Sequence, residues 1–221
     1  MKYLKNINNY PLSSKTYVHG STKKTNIVLH SSFSRTKYTF TGEQKNETCL
    51  MQNWEIMADR RAGHYVIFRD GEIYKCLDEE FWTNHIGPGK KFIEANKSTI
   101  SIFLTNEAYL EKENGKYYAF GFNKPYNMYT GKVFNLEFKG YSYWADYEDA
   151  QISALSELLK DICTRHDMSP TMNKNTTRFS AASQSSASIV SCANLNKESR
   201  SLPFSSWCLD KISSNGIALV G

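Results

Sequence analysis

A chain of 221 residues with 40% hydrophobic and 22% charged residues is long enough to bury a core and too apolar to be disordered. Its net charge of +5 comes from scattered Lys and Arg, with no basic block longer than a pair such as Lys23-Lys24 or Lys90-Lys91, so nucleic acid is not an expected partner. Five cysteines without a CxxC pair argue against a disulfide framework or a cysteine-built zinc knuckle. No apolar run approaches the roughly 18 residues of a membrane span. The opening "MKYLKNINNYPL" lacks the apolar centre of a signal peptide, and the chain is expected to be made in the cytoplasm and not exported by the general route.

Residues 1–24 are polar and read as an extended N-terminal arm. "TNIVLH" (25–30) is the first strand, and its apolar run stops on His30, either as a strand-capping side chain or as a site residue held at a sheet edge. A Ser/Thr/Lys-rich loop covers 31–47. "TCLMQNWEIMADRR" (48–61) spaces Leu50, Met51, Trp54, Met57 and Ala58 as a helix, with Thr48 as N-cap. "HYVIFRDGEIYKCL" (64–77) reads as a hairpin about Asp70-Gly71, a dipeptide suited to a two-residue turn. "STISIFLTN" (98–106) is a second buried strand, and "AYLEKENGKYYAFGF" (108–122) a second hairpin about Asn114-Gly115. From 147, Ile152, Leu155, Leu158, Leu159 and Ile162 form the stripe of an amphipathic helix. The Ser-rich tract "SAASQSSASIVS" (180–191) reads as polar chain, "PFSSWCLDKIS" (203–213) as a short closing helix, and 214–221 as a tail. Strands and helices mixed without a clean linker predict one α/β (α+β) domain over 25–213.

The ordered series "IVLHSS", "GHYVIFRDGEIYKCLDE", "HIG", "NKSTISIFLTN" and "YEDAQISALSELLKDICTRH" resembles the zinc-dependent N-acetylmuramoyl-L-alanine amidases. That fold is shared by phage lysozyme-type amidases, muropeptide-recycling amidases and peptidoglycan recognition proteins. The resemblance covers about 25–210 apart from 107–145. It implies a central mixed sheet flanked by helices, with a groove for glycan and stem peptide. It also implies a zinc ion held by two histidines and a third histidine, cysteine or aspartate, which polarises the scissile amide and activates water. His30 matches the first ligand, at the end of the first core strand.

The later ligands of that pattern are not found. None of the five histidines follows His166. The stretch matching the second ligand reads "TTRFSAASQ", with Phe179 or Ser180 there. The third reads "NKESRSLPFSSW", with Ser199 or Ser201 near the slot. Cys192 is the remaining soft ligand in reach, and two ligands fall short of a catalytic zinc site. Recycling-type relatives carry a glutamate where "ISIF" places Phe103, and phage relatives a tyrosine where this chain has Gly63. The expected site is therefore vestigial: His30, His85, Asn96 and Cys192, with no catalytic residue and no metal. His85 reads as pocket lining or turn packing, Asn96 as a groove residue or a cap, His64 as structural, and Asp149 as a helix N-terminus.

Residues 116–145 hold eleven Tyr, Phe and Trp residues and form an aromatic insertion. Tyr117, Tyr118, Phe120, Phe122, Tyr126, Tyr129, Tyr141, Tyr143 and Trp144 are a candidate interaction surface, or else rings covering an extra hairpin on the same core. The leading expectation is a catalytically inactive amidase-fold protein with protein partners in an assembly, such as a phage virion or tail. The alternatives are a non-catalytic peptidoglycan-binding module, and an active amidase with a rearranged zinc site using His30 and Cys192. No cofactor is expected outside that last case.

Overall fold

The structure, a computed structural model, describes residues 7–32, 47–57, 60–119, 128–177, 187–199 and 203–221. Strand β1 (Ile7–Asn9) and a single 3-10 turn (Ser14–Thr16) precede β2 (Asn26–Ser31). Then follow α1 (Cys49–Ile56), β3 (Tyr65–Ile67), β4 (Ile73–Lys75), α2 (Ile93–Ser98) and β5 (Thr99–Leu104). Next come β6 (Tyr109–Glu113), β7 (Lys116–Ala119), β8 (Met128–Tyr129), β9 (Val133–Phe138) and β10 (Tyr141–Ala145). The chain ends with α3 (Asp149–Arg165), β11 (Thr171–Asn173), β12 (Ile189–Ser191), α4 (Cys192–Leu195), α5 (Ser206–Ser214) and β13 (Ala218–Val220).

Eight strands form a mixed sheet in the order β1-β4-β3-β5-β2-β12-β11-β13. Every neighbouring pair is parallel except β3–β4. The centre is β2 against β5, in register from Asn26↔Thr99 to Ser31↔Leu104. Both are near-continuous apolar runs because both faces of a parallel sheet are covered. On one face, Ile27, Leu29, Ile100, Ile102 and Leu104 pack with the α3 stripe Ile152, Leu155, Leu158, Leu159 and Ile162. Each of these α3 side chains is fully buried, contributing roughly 1.5–3 kcal/mol relative to exposure. The alternate residues project to the other face, since strand side chains change sides at every step. There Val66, Met51, Trp54 and Leu12 form one cluster, and Val28, Ile86, Val190 and Cys192 another.

Three expectations change at the boundaries. The N-terminal arm is part of the domain over its described residues: β1 pairs with β4, Val18 bridges Trp82, and Lys24 is buried with Nζ donating to the carbonyls of Phe81 and Lys97. The C-terminal tail supplies β13, which pairs with β11. Within the Ser-rich tract, Ile189–Ser191 is a core strand beside β2, and residues 180–186 lie outside the described residues. Short strands of two or three apolar residues are weak period-2 signals, so neighbouring serines masked this one.

Turn chemistry accounts for the hairpins. Asn114 and Gly115 have φ of 49° and 76° and join β6 to β7 as a two-residue loop, the backbone demanded by the strands' twist. Lys139 and Gly140, φ 56° and 82°, do the same between β9 and β10. The Asp70-Gly71 hairpin has three loop residues instead. The Phe68 N–H donates to the Glu72 carbonyl, the Gly71 N–H returns to Phe68, and Gly71 alone takes positive φ at 91°. Helix α1 stops at Ile56, short of the expected 61.

The insertion forms a second, five-stranded sheet, β8-β7-β6-β10-β9. Trp144 is fully buried and packs with Tyr109, Phe134, Phe138 and Tyr141 against the main core. Tyr129 is buried on the other side with Leu110, Ala119 and Ala145. Trp144 and Tyr129 therefore do not belong to a contact surface. Tyr117, Tyr118, Tyr141 and Tyr143 are half-buried, and Lys112 lies over the rings of Tyr117 and Tyr143. Phe120, Phe122 and Tyr126 lie outside the described residues. Of the eight described rings of the insertion, Trp144 and Tyr129 are buried and the other six are half-buried.

Candidate functional site: a buried histidine cluster on the sheet face opposite α3

His30 ends the apolar run of β2 and points, like Val28, away from α3. Directly across the ladder is Phe103 of β5, and the two rings stack at 4.3 Å with planes 7° apart. Trp54 of α1 meets the same phenyl edge-on at 5.0 Å. Nε2 of His30 lies 3.0 Å from Nδ1 of His85, and Nε2 of His85 lies 2.9 Å from the Thr99 hydroxyl. His64 stands nearby, its ring 6.4 Å from that of His85.

Fixed donors set the tautomers. The Thr99 hydroxyl donates to the Ala95 carbonyl at 2.6 Å, so it accepts from His85, whose Nε2 carries the proton. His85 Nδ1 is then an acceptor, and the proton between the two histidines belongs to His30 Nε2. That leaves the lone pair of His30 on Nδ1, which has no hydrogen bond among the described residues. In His64, the Ser101 backbone N–H donates to Nδ1 at 3.0 Å, so Nε2 carries the proton and donates to the Phe81 carbonyl at 3.2 Å. All three rings are neutral. Burial pushes His30 and His64 down to about 3 and His85 well below its ordinary range, because a charged imidazolium would lose its hydration here.

The remaining expected positions fall as follows. Asn96 is fully buried: its Oδ1 accepts from the Ile86 N–H and its Nδ2 donates to the Gly87 carbonyl, each at 3.0 Å. It fixes the turn that carries His85 and does not line a groove. Cys192 opens α4 and is buried against Val28, Ile86 and Val190. Asp149 begins α3 and pairs with Lys211. His166 caps the end of α3 and bonds Glu79 at 2.6 Å. Ser199 is half-buried, while Phe179, Ser180 and Ser201 lie outside the described residues. Thr99 was not singled out in the sequence because a threonine opening a strand is unexceptional. Its role depends on meeting a ring from a loop fourteen positions earlier.

Gly63 explains how Phe103 fits. A Cβ on Gly63 would stand 2.5 Å from Cδ2 and 2.7 Å from Cε2 of Phe103, and 3.1 Å from Trp54. The two unusual residues are therefore one feature: the ring at 103 occupies the space that any side chain at 63 would need. Gly63→Ala is expected to destabilise the fold by about 1–3 kcal/mol as an overpacked site. In a Phe103→Leu background the same change should cost much less, and a double-mutant cycle by urea denaturation measures that coupling.

Residues 20–192 of the sequence match the family described as N-acetylmuramoyl-L-alanine amidase. The chain belongs to that amidase family. Among solved structures, a mutant endolysin from Bacillus subtilis is similar over 96% of this chain and 97% of its own, at 16% identity and TM-score 0.53. The catalytic domain of XlyA aligns over 95% and 96% at 14% identity and TM-score 0.51. The amidase AmiD from E. coli, in complex with anhydro-N-acetylmuramic acid-L-Ala-D-gamma-Glu-L-Lys, aligns over 90% of this chain and 60% of its own at 17% identity and TM-score 0.52. At these identities the likeness is one of fold. A comparison with curated proteins found no match.

The zinc implied by the sequence resemblance would need a donor set that these residues do not assemble. Among the described residues, no group of three His, Cys, Asp or Glu side chains could hold a metal ion. All five histidines and all five cysteines are described, and the residues outside the description contain neither type. His30 offers one free lone pair, while both nitrogens of His85 and of His64 are committed to hydrogen bonds. A catalytic zinc needs three protein ligands and an open position, and these residues do not fit it.

Proposed function

We propose that this amidase-family chain engages peptidoglycan on the sheet face around His30 and holds it without zinc-dependent hydrolysis. The family match over residues 20–192 supports peptidoglycan as the ligand, and the muropeptide complex of its structural neighbour AmiD is consistent with it. The observation that carries the non-hydrolytic half is the neutral chain His30–His85–Thr99, which commits the histidines to one another and leaves a single donor nitrogen. Phe103, with no ionisable group, stacks where the resemblance would put a proton-handling carboxylate, and Gly63 supplies no phenol.

The family match also favours a second reading, hydrolysis of the lactyl amide. The same experiment separates the two. Purified protein is incubated with peptidoglycan sacculi, sedimented, and the supernatant assayed for released muropeptides. Protein in the pellet without release is expected. Release that disappears with a chelator and with His30→Ala would establish the amidase instead. Protein left wholly in the supernatant with no release would overturn both readings and return the insertion's half-buried tyrosines, with a phage-particle assembly, to first place.

A further inference from the structure

An open cavity of about 280 Å³ lies at the β1–β4 edge of the sheet. Its wall is the stacked pair Tyr17 and Phe81, ring centroids 5.0 Å apart and planes 14° from parallel. Leu12 contributes apolar floor, and the rim carries Asn9 and the ion pair of Lys75 with Asp78 at 2.6 Å. Leu12 belongs to the apolar cluster that also receives Phe103, the ring stacked on His30. The Phe81 carbonyl accepts from His64 Nε2 and from Lys24 Nζ at 3.2 and 2.8 Å. Two lining residues thus connect the cavity to the histidine cluster: Leu12 through the shared apolar cluster and Phe81 through its carbonyl.

We propose that this cavity is a subsite for one N-acetylated hexosamine of the glycan strand. The inference rests on peptidoglycan being the ligand. The chemistry of the lining matches that unit part by part. An aromatic wall takes the apolar face of a pyranose and an apolar floor takes the acetamido methyl. An amide beside an ion pair offers donors and acceptors to ring hydroxyls, and small-molecule sites commonly combine a mostly apolar lining with a few such polar groups. The volume of about 280 Å³ suits a single sugar. Neutral hydroxyls also fit a rim whose two charges already neutralise each other.

The test uses the full chain and chitotetraose, a peptide-free oligomer of N-acetylglucosamine, followed by titration calorimetry alongside sacculus sedimentation. Chitotetraose is expected to bind, and Tyr17→Ala to weaken it about tenfold, the loss of one good stacking contact. Asn9→Ala, on an exposed edge strand, should weaken it as well and leaves the test intact if Tyr17→Ala does not fold. Wild-type protein that binds sacculi but not chitotetraose, or folded variants that bind chitotetraose as wild type does, would overturn the subsite and leave the peptidoglycan reading standing. Wild-type protein that binds neither removes the reading beneath it.

Discussion

Lowering the pH from 7 should begin to destabilise this protein well before its carboxylates are neutralised. His30, His64 and His85 are buried and neutral, with folded pKa values depressed by burial, the first two to about 3. In the unfolded chain each titrates near its ordinary value of about 6.5. A base whose folded pKa is depressed binds fewer protons when folded, so its stability is fully present above about pH 6.5 and is lost as the pH falls toward the folded value. Each ring costs about 1.4 kcal/mol per pH unit in that window. Three together consume a typical domain stability of about 5–15 kcal/mol within about one to four pH units. Glu79, held down to about 2 by Arg165, His166 and Tyr65 against the opposing effect of its burial, adds to the loss below its ordinary range. The measurement is urea-unfolding stability at stepped pH. A slope rising from about one and a half protons at pH 6.5 to nearly three by pH 5 is expected, and a slope near zero would mean that the rings are hydrated.

Arg69→Met should be the most damaging single substitution away from the histidines. Arg69 is 1% exposed and sits between the hairpin loop of β3–β4, the β5–β6 junction and the β10–α3 junction. Its guanidinium pairs with Glu107, whose side chain is fully buried, reaches the Asp146 carbonyl and lies 3.8 Å from Glu148. Its backbone N–H donates to Glu47 at 3.0 Å. Burial opposes the charge, but Glu107 and its neighbours outweigh burial and raise the pKa above the ordinary arginine value. Removing only the cation takes the Arg69 partner away from the buried Glu107 carboxylate, at a cost of about 3–5 kcal/mol. Arg69→Met combined with Glu107→Leu should recover much of that loss, because replacing both members of a buried pair is far less costly than breaking it. Equal destabilisation by the single and double variants would show that packing, and not the broken ion pair, sets the cost.

The parts of the fold that the sequence made legible were those whose local signal was strong. The stripe Ile152 to Ile162 became α3, the runs about Val28 and Ile102 became the central pair, and Asn114-Gly115 became a tight turn. What stayed hidden was carried by long-range pairing. Ile7–Asn9 and Ala218–Val220 are short strands that only a neighbour makes into sheet, and Ile189–Ser191 is apolar only over two residues. Within the aromatic insertion, ring density does not say which rings are covered, and Trp144 and Tyr129 face inward. In the candidate site, His30 and His85 were visible as residue types, but their mutual hydrogen bond joins positions 55 apart. The relation of Gly63 to Phe103 needed coordinates altogether, because a glycine before a strand gives no hint of the ring pressed against it.

That last relation also restricts which sequences this chain can reach by single steps. Any side chain placed at 63 first meets the ring at 103, and any smaller residue placed at 103 first leaves a void beside Trp54. A route toward an acidic residue at 103 or a phenol at 63 therefore passes through a poorly packed intermediate, whichever change comes first. Either single change therefore carries a packing cost that the paired change relieves. The packing beneath the histidines thus ties positions 63 and 103 together, so that a change at either is best accommodated when the other changes with it.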